Sequence, residues 1–315
     1  MTMLLAMTGW DYGPWIERFS SATAGLDIVT PDDAFDPASI RYIAAWNAPD
    51  GLFATLPNVE VIFSLGAGVD HLLKRGDLPD LPVVRVVNDD LTMRMTEWVV
   101  LHVLMHHRQQ FAYDAAQRAG RWEPLWQPAA SAVRVGIMGL GVLGQDAAEK
   151  LISLGFDVAG WSRCRKDIDG IACFQGQHEL KPFLARTDIL VVLLPSTPDT
   201  AGIIDSMLLA GLARDSVLPE RFPVLVNAGR GALQVEADIL AALDDGTLKG
   251  ASLDVFETEP LPESSKLWSH PLVALTPHVA ADSDPQAIAN GIAEEIARHE
   301  RGEPLLHAID RLKGY

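Results

Sequence analysis

The feature that most narrows what this chain can fold into is a glycine turn set between an apolar run and a helical stretch. Val133–Arg134–Val135–Gly136–Ile137–Met138 runs directly into Gly139–Leu140–Gly141–Val142–Leu143–Gly144, and helical spacing continues through Leu151. A G-x-G-x-x-G pattern is common by itself; between a strand and a helix it has a mechanism. The first glycine permits a tight turn, the second lets the backbone approach a pyrophosphate, and the third lets the helix pack closely on the strand. The helix N-terminus then offers N–H groups and partial positive charge to the phosphates. Residues 133–151 therefore predict a dinucleotide-binding unit, with Gly139, Leu140, Gly141, Val142, Leu143 and Gly144 against the cofactor.

Short apolar runs alternate with helical stretches on both sides of this turn. Met3–Met7, Tyr42–Trp46, Val61–Ser64 and Val83–Val87 read as strands of a first α/β unit. One long helix is expected over about 92–120, with Trp98, Leu101, Met105 and Ala112 at helical spacing and Gly120 as its stop. A Pro-containing linker, Glu123 to Pro128, leads to Val133–Met138, Phe156–Trp161, Ile189–Leu194, Val224–Asn227, Ala251–Val255 and Leu272–Leu275. Buried-type strands alternating with helices predict a parallel sheet covered on both faces. Asp284 and Pro285 open a last helix as cap and first residue, with Ile288, Ile292 and Ile296 on one face. The chain's 315 residues exceed the ~100–200 typical of one domain. The expectation is an α/β protein of two Rossmann-like, doubly wound domains with parallel sheets and an interdomain cleft.

Composition sets bounds on partners. A formal net charge of −17 repels phosphate backbones, which argues against nucleic acid. The start of the chain lacks a basic leader and reads as a first strand, and no apolar run approaches the ~20 residues that span a bilayer. Two cysteines, Cys164 and Cys173, form no disulfide framework and suit a reducing cytoplasm. The three histidines His102, His106 and His107 share a helix without a completing acid, so no metal site is expected.

The strand after the glycine turn refines the cofactor. An NAD site places an acid about 20 residues on, at the ribose 2′-hydroxyl. Here the strand ends Gly160–Trp161–Ser162–Arg163–Cys164–Arg165–Lys166, with no acid. Arg163 and Arg165, with Ser162, suit a 2′-phosphate instead, through charge-assisted bonds of ~1.5–3 kcal/mol each. NADPH is expected over NADH.

Three polar residues stand at the ends of later strands, where open α/β sheets place ligands. Arg230 lies in Asn227–Ala228–Gly229–Arg230–Gly231, Glu259 in Asp254–Val255–Phe256–Glu257–Thr258–Glu259–Pro260, and His278 in Thr276–Pro277–His278–Val279–Ala280. In this order after the glycine turn, the motifs resemble the D-isomer-specific 2-hydroxyacid dehydrogenases across essentially the whole chain. Within that family the chain is most similar to the A-type glyoxylate/hydroxypyruvate reductases, on Ser64–Leu65–Gly66–Ala67–Gly68–Val69–Asp70, the Trp161–Ser162–Arg163 turn and the ending Asp310–Arg311–Leu312–Lys313–Gly314–Tyr315.

The resemblance implies hydride transfer from NADPH to a small 2-keto acid, giving a D-2-hydroxy acid. An imidazole is a suitable proton donor to the developing alkoxide, and a carboxylate beside it favours the charged form. By resemblance His278 is that donor, Glu259 its partner, and Arg230 the group that binds the substrate carboxylate and carbonyl. The N–H groups of Ala67, Gly68 and Val69 are implied substrate contacts. Leu194, Pro195, Ala228 and Asp254 are implied cofactor contacts. The family often has Ala where this chain has Gly229, which is expected to loosen the loop holding Arg230. A substrate-binding domain of 1–97 and 284–315 and an inserted dinucleotide-binding domain of 98–283 are implied, as are a homodimer and a cytoplasmic location. Trp122 and Trp126, with Trp46, are candidates for a wall near the substrate, although core or subunit packing is the stronger expectation for each. A bulkier keto acid, or a non-catalytic NAD(P)-binding regulatory module, stays open as an alternative.

Overall fold

The computed structural model describes residues 1–23, 25–218, 223–311 and 313–314, so Leu312 and Tyr315 of the C-terminal motif lie outside the described residues. The chain divides into two compact units, Met1–Leu91 with Ser283–Tyr315, and Thr92–Asp282. The divisions fall at 91/92 and 282/283, where the sequence reading places 97/98 and 283/284.

The first unit holds five parallel strands: β1 (Thr2–Met7), β2 (Asp27–Val29), β3 (Ile40–Trp46), β4 (Val61–Ser64) and β5 (Val83–Val84). Their order is β2-β1-β3-β4-β5, a doubly wound arrangement that starts in the middle and builds outward. β1 is buried along its length, because it lies between two strands and under helices. Helix α1 (Tyr12–Ala22) starts where the Asp11 side chain accepts the Gly13 N–H at 3.0 Å, and buries Trp15 and Phe19 one turn apart. The C-terminal helix α9 (Pro285–Glu300) begins as the sequence predicts: Asp284 accepts the Gln286 N–H at 3.2 Å, and Ile288, Ile292 and Ile296 are buried.

The second unit carries seven parallel strands: β6 (Arg134–Met138), β7 (Asp157–Ser162), β8 (Ala172–Gln175), β9 (Ile189–Val192), β10 (Val224–Asn227), β11 (Gly250–Leu253) and β12 (Val273–Leu275), in the order β12-β11-β10-β9-β6-β7-β8. Counted within the unit this is 3-2-1-4-5-6-7, which reverses direction between β6 and β9. Open sheets bind ligands beyond the strand ends at such a reversal. Alternate residues face opposite cores: Ile189, Val191, Val224 and Val226 pack on one side, and Leu190, Val192 and Leu225 on the other. Burying a Val or Leu side chain contributes about 1.5–3 kcal/mol, so this two-sided burial holds the sheet rigid under the loops.

The expected single helix over 92–120 is two helices, α3 (Asp89–His107) and α4 (Gln110–Arg118). They part at Gln109, which adopts the left-handed region at φ 59°. The break lets Phe111 fold back to stack on His106, ring centroids 5.0 Å apart. A local contact across the break, between residues five apart, thus accompanies the departure from helical spacing. Gly120, at φ 64°, follows the end of α4 as predicted.

Candidate active site

The glycine turn sits at the reversal point of the second sheet. Gly139 follows β6 at φ 107°, and its N–H bonds the Trp161 carbonyl of β7 at 2.9 Å. On the other side the turn abuts the end of β9: a side chain at Gly139 would lie 2.7 Å from the Leu193 carbonyl oxygen. This places Leu194 and Pro195 beside the turn. Helix α5 (Val142–Ser153) starts at Gly141 with no side chain capping its first N–H groups. A Cβ at Gly141 would meet nothing within 4 Å, whereas one at Gly144 would lie 1.9 Å from the Gly139 carbonyl oxygen. The second glycine therefore keeps open the space in front of the helix, and the third keeps the helix against the turn. Both properties fit a dinucleotide pyrophosphate.

At the end of β7 the Ser162 hydroxyl donates to the Cys164 carbonyl at 2.6 Å and closes a small turn. Arg163, Arg165 and Lys166 are exposed on it. Three cations on one exposed turn, one strand over from the glycines, fit a 2′-phosphate.

Arg230, Glu259 and His278 follow β10, β11 and β12, on the same edge of the sheet. His278 Nδ1 and Glu259 Oε2 are 2.7 Å apart, and Glu259 Oε1 accepts the Phe256 N–H at 2.9 Å. Burial pushes the Glu259 carboxyl up, but the hydrogen bonds from His278 and the Phe256 N–H, with the charges of His278 and Arg230, outweigh it. Glu259 stays below the usual glutamate range. Arg230 is thus near enough to act on Glu259 electrostatically.

The loop holding Arg230 is tightly fixed. Gly229 N–H donates to Asn227 Oδ1 at 3.0 Å, Asn227 Nδ2 to Gln234 Oε1 at 2.8 Å, and Gln234 Nε2 to the Val255 carbonyl at 2.9 Å. A Cβ at Gly229 would come 2.7 Å from Leu233 Cδ1 and 2.8 Å from the Leu194 carbonyl oxygen. The glycine does not loosen the loop, as the sequence reading expected; it permits closer packing. A Cβ at Gly231 would fall 1.7 Å from the Phe256 carbonyl oxygen, so this loop rests directly on the one that carries Glu259.

Asp254 was expected at the cofactor. Its carboxylate is 1% exposed and accepts the Thr276 hydroxyl at 2.6 Å and the Val279 and Ala280 N–H groups at 2.9 and 3.0 Å. It clamps the segment that bears His278. Sequence reading missed this clamp and the Asn227–Gln234 link, although Thr276 and Gln234 lie within a few residues of His278 and Arg230.

In the first unit, β4 ends in a loop leading to the short helix α2 (Asp70–Leu73). Ser64 Oγ accepts the Gly66 N–H at 3.2 Å and donates to the Gly68 carbonyl at 2.9 Å. Among the described residues, no acceptor within the chain engages the N–H groups of Ala67, Gly68 or Val69. Trp46, at the end of β3, stacks on Trp10 with centroids 5.5 Å apart and lies over Gly66, where a Cβ would come 2.7 Å from its ring. An open cavity of about 650 Å³ beside it is bordered by Thr8, Asn47, His71 and Lys74.

The histidines of α3 are packing groups of their own unit. His102 Nδ1 donates to the Trp98 carbonyl at 2.8 Å, His106 Nε2 lies 2.9 Å from Ser252 Oγ on β11, and His107 meets Phe156 edge-on. Trp122 and Trp126 are not core residues: they are 98% and 70% exposed on the segment between α4 and β6.

A doubly wound sheet with a glycine turn at its reversal point, and a carboxylate–imidazole pair at its strand ends, defines a dinucleotide-dependent oxidoreductase. Residues 100–280 match the family model described as D-isomer specific 2-hydroxyacid dehydrogenase, NAD binding domain. Glyoxylate/hydroxypyruvate reductase A of Klebsiella pneumoniae (strain 342) is 44% identical over 307 residues, 96% of each chain. A crystal structure of NADPH-dependent glyoxylate/hydroxypyruvate reductase from Sinorhizobium meliloti, in complex with NADP and sulfate, is 46% identical with a TM-score of 0.94. It covers 100% of this chain and 99% of its own. A D-isomer specific 2-hydroxyacid dehydrogenase from Xanthobacter autotrophicus Py2, in complex with NADPH and MES, is 40% identical with a TM-score of 0.94 at the same coverage. The chain belongs to the D-isomer specific 2-hydroxyacid dehydrogenase family.

Proposed function

We propose that this chain reduces small 2-keto acids of the glyoxylate and hydroxypyruvate class to D-2-hydroxy acids, with NADPH as the preferred donor. The observation that carries the reading is the 2.7 Å His278–Glu259 pair, under the charge of Arg230, on the sheet edge that also bears the glycine turn. Bound NADPH supplies the hydride. Residues 139–144 with Leu194, Pro195 and Ala228 would hold its pyrophosphate side, and Ser162, Arg163 and Arg165 its 2′-phosphate. Arg230 binds the substrate carboxylate and stabilises charge developing on the carbonyl oxygen. His278 gives that oxygen its proton, and Glu259 orients the ring through the 2.7 Å contact to Nδ1. From the first unit, Trp46 and the N–H groups of Ala67, Gly68 and Val69 are assigned to the substrate, the N–H groups as a nest for its carboxylate. Asp254 serves the site by holding the His278 segment.

A homodimer and a cytoplasmic location belong to the same reading. Exposed Leu101, Trp122 and Trp126 are apolar surface of the kind a second copy covers. Among the described residues, no helix is long and apolar enough to cross a membrane.

The test follows loss of NADPH absorbance with glyoxylate, hydroxypyruvate, pyruvate and phenylpyruvate, in the parent and in Arg163→Ala and His278→Ala. The first two acids should turn over best, and His278→Ala should lower kcat by at least about 100-fold. Arg163→Ala should lower the NADPH preference by on the order of 10–100-fold. Loss with phenylpyruvate alone favours the bulkier-substrate reading, and no loss with any acid favours a regulatory module. A higher kcat/KM with NADH refutes the cofactor assignment.

A further inference from the structure

His278 sits at φ 55°, in the left-handed region where a side chain crowds its own backbone. A conformation of that kind persists only where surrounding contacts impose it. Those contacts converge on Asp254. Its carbonyl accepts the His278 N–H at 2.8 Å, and its carboxylate accepts the N–H groups of the next two residues, Val279 and Ala280. The remaining donor to that carboxylate is the Thr276 hydroxyl, at 2.6 Å.

Behind Thr276 stands Trp98 of α3, its indole Nε1 3.0 Å from Thr276 Oγ1. An indole N–H only donates, and an ionised carboxylate only accepts. Trp98 therefore occupies a lone pair of the Thr276 oxygen, and the hydroxyl hydrogen is left to point at Asp254. The polarity of the whole chain, indole to hydroxyl to carboxylate, is set at the indole. Trp98 is itself fixed: it is 8% exposed, His102 Nδ1 donates to its carbonyl, and the His102 ring lies 3.8 Å from the indole, centroid to centroid.

We infer that Trp98 and Thr276 are positioning residues for proton transfer by His278, acting through Asp254 to hold the 276–280 segment in the geometry that the imidazole needs. The inference rests on the proposed role of His278 as the acid. Neither side chain bonds His278 or Glu259, the Thr276 carbonyl alone sharing the His278 N–H at 3.1 Å, and nothing in the sequence marks Trp98 as more than one apolar position of a helix. The titratable and charged groups around the pair are Glu259 after β11, Asp254 at the end of β11 and Arg230 after β10. His102 on α3 faces Asp254 electrostatically.

The test compares Thr276→Val, which removes the hydroxyl, with Thr276→Ser, which keeps it, and adds Trp98→Phe and the Thr276→Val/Trp98→Phe double variant. Steady-state reduction of glyoxylate by NADPH is measured across pH, separating kcat from KM. Thr276→Val should lower kcat on the order of 10-fold and displace the limb of the pH profile that reports the acid, with both KM values within about two-fold. Thr276→Ser should restore kcat to within about three-fold of the parent, and the double variant should be no slower than Thr276→Val alone, as expected of two members of one chain. Parental kcat and pH profile in Thr276→Val overturn the inference, as does a Ser variant as slow as the Val variant or a double variant whose losses multiply. If Thr276→Val loses its cooperative melt, Trp98→Phe decides by the same split between kcat and KM. His278→Ala keeps the two ideas apart. Near-parental turnover there removes His278 from the chemistry, whereas an inactive His278→Ala beside a parental Thr276→Val overturns the relay alone.

Discussion

Replacing Gly141 and Gly144 by alanine, one at a time, subjects the same turn to opposite loads. At Gly144 the new Cβ would sit 1.9 Å from the Gly139 carbonyl oxygen, against an ordinary lower limit of 3.0–3.4 Å. Helix and turn would have to part by roughly 1.3 Å, and the turn is tied to β7 by the Gly139 N–H bond to Trp161. Overpacking of that kind costs about 1–3 kcal/mol, and a unit of this size loses about 2–4 °C of Tm per kcal/mol. Gly144→Ala should therefore melt several degrees early. Gly141 is different: its φ is −77°, which any residue adopts, and its Cβ would meet no protein atom within 4 Å. Only the glycine's advantage as a helix cap is lost, less than about 1 kcal/mol. What the Cβ does fill is the space in front of the first N–H groups of α5. Gly141→Ala should keep its Tm within about 2–4 °C while NADPH binding weakens at least about tenfold, or ~1.4 kcal/mol. Calorimetry and a fluorescence titration with NADPH read the two quantities separately. Parental NADPH affinity in Gly141→Ala would show that the pyrophosphate is not seated on this turn.

Glu259→Gln keeps the shape of the pair and removes its charge, so kcat should fall about 100-fold with the KM for NADPH unchanged; a loss confined to KM would refute the orienting role. The Glu259 carboxyl lies below the usual range, so its contribution to stability is present above the ordinary glutamate value and is lost only as pH falls through the lowered one. Over neutral and mildly acid pH the pair therefore keeps its carboxylate. Gly231→Ala should push the Phe256 carbonyl away and carry Glu259 with it, lowering kcat by at least about tenfold in a protein that still binds NADPH; parental kcat would show that the loops are not coupled. Acid lability should come from α3 instead. Burial, with the charge of His102, pushes His106 down to about 3. The unfolded chain then takes a proton that the folded one refuses. Stability is complete above about pH 6.5 and lost as pH drops toward the folded value, by about 2 kcal/mol at pH 5. Burial also lowers His102 and His107, in the same direction. Urea unfolding of the parent and His106→Gln at neutral pH and pH 5 measures the difference, and equal losses in the two would refute it.

Strands that are buried on both faces were legible in the sequence because they read as unbroken apolar runs: Val61–Ser64, Ile189–Val192 and Val224–Asn227 are such segments. Strands β2 and β8 were not. They lie at sheet edges, are short, and are only partly buried, so neither a run nor an alternation marks them. The break at Gln109 was hidden for a different reason: no glycine or proline announces it, and the left-handed turn there is made by an ordinary glutamine. Within the candidate site the side chains that would meet ligands stood out, since Arg, Glu and His at strand ends have few other reasons to recur in that order. Their supports did not stand out. Thr276, Gln234 and Asn227 are ordinary loop residues until hydrogen bonds assign them, and Trp98 is indistinguishable in sequence from Val99 or Val103, its buried neighbours on α3.

The supports form a connected path through three successive loops. Gly231 lets the β10 loop rest on the Phe256 carbonyl, and the N–H of the same Phe256 holds one oxygen of Glu259. The other oxygen of Glu259 holds the His278 ring, and the His278 backbone returns to β11 through the Asp254 carbonyl. Apart from the Glu259 side chain, which is held at both oxygens, and the imidazole that it holds, every link is a backbone group. Errors of position therefore accumulate little between the loop that carries the guanidinium and the imidazole. Proton transfer and carboxylate binding both lose rate steeply with displacements near 1 Å, so this economy matters more than the strength of any one bond. It also explains the glycine at 231, directly after the arginine. A Cβ there, 1.7 Å from the Phe256 carbonyl oxygen, would force the two loops apart by more than the ångström that the chemistry tolerates, whereas one at 229, 2.7 Å from Leu233 Cδ1, would need a shift of only a few tenths of an ångström.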